Sequence, residues 1–97
     1  MNRDDIMRVL IEERQNLEDR FDITSLALFG SVARNEARTD SDIDLLVEFK
    51  SPIGLLKFIE LQQHLEKLLG CRVDIGTKRS LKSRIKDQVL QEAIHVA

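Results

Sequence analysis

The spacing of apolar residues along the chain predicts three long amphipathic helices. In the first, apolar residues recur at intervals of four, seven and four positions, so they fall on one stripe of a helix. These residues are Ile6, Leu10, Leu17 and Phe21. The second helix is predicted over Leu55 to Leu69, with Gly70 placed as a C-terminal cap. Its apolar face comprises Phe58, Leu61, Leu65 and Leu68. The third helix is predicted over Leu81 to Ala93.

Between these helices, shorter apolar runs predict the strands of a sheet. Thr24 to Phe29 is an apolar run that stops at Gly30, as expected of a buried strand followed by a turn. Asp42 to Phe49 opens with strict polar and apolar alternation, which is typical of a strand with one buried face. The remaining predicted strands are Cys71 to Ile75, which ends at Gly76, and a short edge strand, Ile94 to Val96.

The order of these elements favours an α+β fold in which helices cover a small mixed β-sheet. A short helix is also expected from Ser31, because serine is a good N-terminal cap. The chain has 97 residues, of which 42% are hydrophobic and 33% are charged, so we expect one small domain over residues 1–97. A domain of this size buries only about 60–65% of its unfolded surface, which makes self-association into a homo-oligomer favourable.

Charge and cysteine content narrow the classes of function. The 15 Lys and Arg residues against 17 Asp and Glu give a net charge of −2, so we expect no direct nucleic-acid binding. The single cysteine excludes an internal disulfide, which suits a reducing compartment. No apolar run approaches the ~20 residues of a membrane helix, and the charged N-terminal segment is unlike a signal peptide. We therefore expect a cytoplasmic protein without a membrane partner.

Two aspartates on one predicted strand are the first candidates for chemistry. Side chains repeat on the same face every second residue, so Asp42 and Asp44 should project together. Two carboxylates side by side repel unless a cation lies between them, and Mg²⁺ prefers such oxygen ligands. Asp74, between Val73 and Ile75, is a third candidate if its strand lies next to theirs. Solvated charges on a strand face are the simpler interpretation of each aspartate taken alone.

Gly30 and Ser31, between a strand and a helix, are candidates for binding phosphate. A glycine at this position lets the backbone approach a ligand closely. Amide groups at a helix start and the serine hydroxyl can then bind phosphate oxygens. An ordinary strand-to-helix turn would explain the same pair of residues.

Taken together, these features resemble a known family. The stretch Phe29-Gly30-Ser31-Val32-Ala33-Arg34, followed by Ser41-Asp42-Ile43-Asp44-Leu45-Leu46-Val47, is similar to the signature of the nucleotidyltransferase superfamily that includes DNA polymerase beta. It looks most like the minimal nucleotidyltransferases, many of which are antitoxins. Val73-Asp74-Ile75 lies where that family has its third carboxylate. One departure is Asn35, where these proteins often carry glycine.

The resemblance implies a mechanism and a role for each candidate residue. Asp42 and Asp44 would hold two Mg²⁺ ions about 4 Å apart, and Asp74 would bind the ion on the acceptor side. Asp74 would also help to deprotonate the attacking hydroxyl. The β- and γ-phosphates of ATP would be held by Gly30 and Ser31. The phosphate charge would be met by Arg34 and Arg38.

The resemblance also implies a partner, because the chain has no room for an acceptor-binding domain. It suggests adenylyl transfer from ATP to a hydroxyl, such as that of a tyrosine, on a HEPN-domain ribonuclease toxin. A non-catalytic antitoxin that neutralises its toxin by contact is an alternative. Transfer to a small molecule is another, although the absence of an acceptor domain counts against it.

Overall fold

The fold alternates helices and strands around one four-stranded sheet. The computed structural model describes residues 2–36, 42–77, 80–81 and 83–96. Within these ranges the helices are α1 (Arg3–Phe21), α2 (Gly30–Ala33), α3 (Leu55–Leu69) and α4 (Ser83–Glu92). The strands within them are β1 (Ile23–Phe29), β2 (Ile43–Phe49), β3 (Val73–Gly76) and β4 (Ile94–His95).

The sheet is mixed, as the sequence predicts, and its strand order is β3-β2-β1-β4. β1 pairs antiparallel with β2 and with β4, whereas β2 and β3 run parallel. The parallel pair is joined through α3, since parallel strands need a crossover connection. β2 therefore lies between β1 and β3, and the start of β2 is next to the start of β3 and the end of β1.

One face of the sheet is covered by α1 and α3. The predicted stripe of α1 is confirmed, because Ile6, Leu10, Leu17 and Phe21 are all buried. The alternate residues of β2 that meet this core are Ile43, Leu45 and Val47. Asp44 alternates with them, so its side chain lies on the opposite face of the sheet. The packing of α1 and α3 thus fixes which side of β2 carries the carboxylate.

The ends of α1 and α3 follow the capping rules. Asn2 and Asp5 form a capping box at the start of α1, in which the Asn2 side chain accepts from the Asp5 amide at 2.8 Å. Gly70 ends α3 with a left-handed φ of 71°, and its N–H donates to the Glu66 carbonyl at 2.8 Å. The predicted cap at Gly70 is confirmed.

The ends of three elements differ by one or two residues from the sequence prediction. β3 is Val73–Gly76 and not Cys71 to Ile75, α4 is Ser83–Glu92 and not Leu81 to Ala93, and β4 is Ile94–His95 and not Ile94 to Val96. The apolar pattern places each element but does not fix its last residues.

Further local predictions also differ from the structure. α2 begins at Gly30, not at Ser31, because the chain turns directly out of β1 through the positive φ of Gly30. Ser31 is therefore not its cap, and Phe29 in the cap position makes no side-chain hydrogen bond. β2 begins at Ile43, whose N–H donates to the Arg72 carbonyl, so Asp42 lies just before the strand. On α3 the buried face includes Leu69, whereas Phe58 and Leu68 are only half-buried.

Among the described residues, a few large apolar side chains are exposed at the start of α3. Leu55 is 73% exposed and Leu56 is 83% exposed, and Ile59 lies one turn further on. Across the described part of the chain, no helix combines the length and the apolar character needed to cross a membrane.

Candidate active site

Two of the three predicted aspartates lie side by side on neighbouring strands. β2 and β3 are parallel and in a register that pairs Asp44 with Asp74. Paired residues on adjacent strands project from the same face, and their backbones lie about 4.8 Å apart. The flanking pairs, Ile43 with Val73 and Leu45 with Ile75, face the core. The sheet therefore places two carboxylates next to each other on the face that α1 and α3 leave uncovered.

The glycine–serine turn meets the same carboxylate. Phe29 at the end of β1 pairs with Asp44 of β2, so Gly30 follows directly beside it. A Cβ at Gly30 would overlap Oδ2 of Asp44 and would lie 3.0 Å from its Cγ. Gly30 also has a φ of 76°, which L-residues with side chains rarely adopt. Both the position and the conformation of residue 30 therefore require glycine.

The environment of Asp44 disfavours its charged form. Burial raises the pKa of the Asp44 carboxyl above its usual value of 3.8, and the negative charges of Asp74 and Asp42 raise this pKa further. The positive charge of Arg34 acts in the opposite direction and is the weakest of these four influences. An ionised Asp44 therefore lacks sufficient positive charge around it.

Asp42 flanks this pair from a more exposed position. It precedes β2, and its Oδ1 lies 3.9 Å from Nε of the largely exposed Arg72. Within the described ranges of the chain, no three His, Cys, Asp or Glu side chains already surround one point that could hold a metal ion. Repulsion keeps like charges apart until a cation offsets it. The preassembled part of the site is the pair Asp44–Asp74.

The donor set fits a hard divalent cation. Its ligands would be carboxylate oxygens, which Mg²⁺ prefers, and no sulfur or imidazole ligand lies among them. The raised pKa of Asp44 comes from burial and from neighbouring negative charge, both of which a cation at this point would offset. Asp44 and Asp74 together with Asp42 therefore have the chemistry of a magnesium site.

Arg34 lies next to the site but points to two glutamates. Its Nε is 3.1 Å from Oε2 of Glu36, and its Nη1 is 3.2 Å from Oε2 of Glu92. Both partners raise the pKa of the Arg34 guanidinium. The sequence predicted Arg34 as a phosphate ligand but gave no sign of Glu92, which lies 58 residues further along the chain.

A second arginine anchors the short helix α2 from the other side. Nη1 of Arg3, at the start of α1, donates to the carbonyl oxygen of Ala33 at 3.1 Å. This bond satisfies one of the carbonyls that a helix of four residues leaves free. Arg3 thereby ties the turn of Gly30 and Ser31 to α1. The sequence pattern did not single out Arg3, because the contact joins residues 30 positions apart.

The departure at Asn35 has a backbone explanation. Asn35 has a φ of 59°, in the left-handed region where glycine is the usual residue. Asparagine tolerates this region better than most side chains. The turn after α2 therefore keeps the conformation that glycine would give it. The predicted phosphate ligand Arg38 lies outside the described residues.

A cavity of about 420 Å³ lies at the other end of β2 from Asp44. Its lining comprises Thr24, Val47, Glu48, Phe49, Ser51, Pro52 and Thr77. None of the predicted site residues lines it. The carboxylates thus lie apart from this cavity.

Comparison with known proteins shows the family to which the chain is similar. The model of the nucleotidyltransferase domain family matches residues 10–96. Protein adenylyltransferase MntA of Thermococcus cleftensis is 46% identical over 93 residues, which are 96% of this chain and 94% of that protein.

Solved structures with the same fold are also found. One, assigned as a minimal nucleotidyltransferase, is 46% identical with a TM-score of 0.81, and the match covers 97% of this chain and 95% of that one. Another is a toxin–antitoxin crystal structure with AMP-PNP, 26% identical with a TM-score of 0.71. That match covers 100% of this chain and 73% of the other. The mixed sheet with its helices is therefore the minimal nucleotidyltransferase fold, as the sequence predicts.

Proposed function

Because this chain belongs to the nucleotidyltransferase domain family and is a nucleotidyltransferase, we propose that it transfers the adenylyl group of ATP to a hydroxyl of a partner protein. The partner would be a HEPN-domain ribonuclease toxin, and the modification would neutralise it. The reaction would take place in the cytoplasm. A tyrosine is the acceptor that we favour.

One observation carries this proposal. Gly30, Asp44 and Asp74 come from three different elements, and the fold brings them together on the face of the sheet opposite α1 and α3. Binding of a nucleoside triphosphate with its cation has two requirements. The backbone must let phosphate approach closely, and oxygen ligands must be present for a hard cation. The contact between these two features supports a site for Mg²⁺ and ATP.

The first proposed role of the carboxylates is to bind the cation that neutralises the phosphates. Asp42, Asp44 and Asp74 would hold Mg²⁺, which when bound supplies neutralisation of the phosphate charge and stabilises the leaving group. Gly30 and Ser31 would place the β- and γ-phosphates over the start of β2. The α-phosphorus would then lie beside the Asp44–Asp74 pair.

Transfer then requires an in-line attack. The acceptor hydroxyl oxygen forms a bond to the α-phosphorus while the bond from that phosphorus to the pyrophosphate oxygen breaks. The hydroxyl proton passes to a carboxylate oxygen of Asp74, which has an exposed side chain on the acceptor side. AMP remains on the acceptor, and pyrophosphate leaves with the bonding electrons.

The proposed partner rests on the relatives. The Thermococcus cleftensis protein bears the name protein adenylyltransferase, and the solved toxin–antitoxin structure carries an adenine nucleotide analogue. Both support a protein acceptor and ATP as donor. The resemblance of residues 29–49 to minimal nucleotidyltransferase antitoxins supports a toxin of the HEPN class as the partner.

The experiment follows labelled AMP from donor to acceptor. We would incubate the purified protein, ATP labelled at the α-phosphate and Mg²⁺ with a lysate of its source cell, beside the double variant Asp42→Asn/Asp44→Asn. The proposal predicts label on a discrete protein, absent with the variant. A toxin captured by both proteins without label would support neutralisation by contact. Label on a small molecule only would also contradict the proposal.

A further inference from the structure

Arg34 is held by glutamates from two parts of the chain. Glu36 lies in the turn after α2, and Glu92 is the last residue of α4. Their contacts with the Arg34 guanidinium are 3.1 and 3.2 Å long, and they engage different nitrogens, Nε and Nη1. The two carboxylates thus bind the guanidinium at two of its nitrogens.

Of the two glutamates, Glu92 is the better placed to direct Arg34. The Glu36 side chain is 66% exposed, and it is only two residues from Arg34, so this pair is a weak surface contact. The Glu92 side chain is 29% exposed and comes from a different element. β4 follows it almost directly and pairs with β1, Ile94 lying opposite Leu28. Glu92 therefore lies on a backbone that the sheet holds in place.

The position of Arg34 matters because this residue directly follows the short helix that begins at the candidate phosphate turn. Its N–H donates to the Gly30 carbonyl at 3.1 Å, so its backbone is tied to that turn. A guanidinium released from Glu92 would sample many orientations, because a long exposed side chain without a partner is free to rotate. It would then meet a phosphate at the turn only part of the time.

We propose that Glu92 is a positioning residue, which fixes the orientation of the Arg34 guanidinium so that it can meet a phosphate of a nucleoside triphosphate held at the turn of Gly30 and Ser31. This inference rests on the proposed function, since it takes the face of Gly30 and Asp44 as the triphosphate site. Glu92 does not touch the nucleotide, and it acts only through Arg34. Removing its charge should therefore weaken binding of the triphosphate only while Arg34 is present.

The test measures binding of a non-hydrolysable ATP analogue with Mg²⁺ by calorimetry. Glu92→Gln should weaken this binding roughly tenfold, the range seen when groups that orient a ligand are removed. The matched control is Glu60→Gln, which breaks a similar surface pair, the 3.3 Å contact of Glu60 with Arg20. The control should bind like the wild type, and the two variants should unfold at similar temperatures.

A double variant separates positioning from a direct role. If Glu92 acts through Arg34, Arg34→Ala/Glu92→Gln should bind no more weakly than Arg34→Ala alone. Binding by Glu92→Gln at the wild-type affinity would overturn the inference, and so would independent effects that add in the double variant. A wild type that binds the analogue but transfers no adenylyl group would contradict the proposed function. The binding affinities of the variants would still decide whether Glu92 acts through Arg34. A wild type that does not bind it would contradict both.

Discussion

Asp44 is the residue at which the phosphate turn and the carboxylate pair meet. It lies between Gly30 on one side and Asp74 on the other. The positive charge of Arg34 does not offset the rise in the pKa of Asp44 that burial causes. A carboxylate in such a position costs folding free energy when it ionises. Its retention in the fold is explained if a cation binds there.

The raised pKa of Asp44 predicts how stability depends on pH. The folded protein keeps this proton to higher pH than the unfolded chain, so stability falls as the pH rises from about 3.8 through the raised pKa. Asp44→Asn removes this loss, and the variant should become more stable relative to the wild type as the pH rises. Thermal unfolding of both proteins without divalent cations, from pH 3.5 to 7.5, measures the difference. If the unfolding temperature of the wild type rose relative to that of the variant as the pH increased, this explanation would be wrong.

The same variant should lose its response to magnesium. Mg²⁺ at neutral pH should raise the unfolding temperature of the wild type, because binding to the folded state stabilises it. Asp44→Asn should show little increase, and its transfer activity should fall by about a hundredfold or more, as several kcal/mol of charge stabilisation are lost.

Gly30 offers a comparison with a second glycine of the same conformation. Gly30→Ala places a methyl group against the Asp44 carboxylate, whereas a Cβ at Gly70 has nothing within 4 Å. Both residues have a left-handed φ, so each substitution should cost about 1–2 kcal/mol of backbone strain. Gly30→Ala should be the more destabilising and should also abolish nucleotide binding. Equal effects on denaturant unfolding and unchanged binding would show that residue 30 does not border the site.

At the scale of elements, the helices and strands could largely be predicted because their apolar residues are periodic. The stripe of α1 and the range of α3 follow from the sequence, and so does the glycine that ends α3. The start of α2 could not, because it depends on the positive φ of Gly30, which no periodicity records. The choice between Leu68 and Leu69 also failed, since both lie near the edge of one helical stripe.

The buried face of α3 gives a prediction with a control on the same helix. Leu65 is 0% exposed, so Leu65→Ala should lower the free energy of unfolding by about 3 kcal/mol. Leu56→Ala changes a side chain that stands in solvent and should alter it by less than about 0.5 kcal/mol. Denaturant unfolding of the two variants checks the difference. Similar losses would mean that α3 packs by another face.

At the scale of the whole molecule, the site depends on contacts between distant parts of the chain. The spacing of Asp42 and Asp44 could be read from the sequence, but the pairing of Asp44 with Asp74 required β2 and β3 to be neighbours. From the sequence, Asp74 could be assigned to the site only on the condition that its strand lies next to that of Asp44. The contact of Arg34 with Glu92 could not be predicted, because Arg34 belongs to the signature stretch but Glu92 belongs to no repeat or motif.

In the proposed reaction, a hydroxyl of the partner protein would have to reach the Asp44–Asp74 pair. Asp74 is exposed, so the pair is accessible from solvent. The specificity of the proposed reaction would then be set at the contact between the two proteins.

The most direct test of nucleotidyl transfer compares ATP labelled at the α-phosphate with ATP labelled at the γ-phosphate. Each is incubated with the wild type, Mg²⁺ and the partner protein captured from its source cell, and Asp44→Asn serves as the control. Our account predicts that the α label is retained on the partner, that the γ label leaves in pyrophosphate, and that the variant transfers neither. Retention of the γ label, or an α label that persists with Asp44→Asn, would contradict transfer at the Asp44–Asp74 pair.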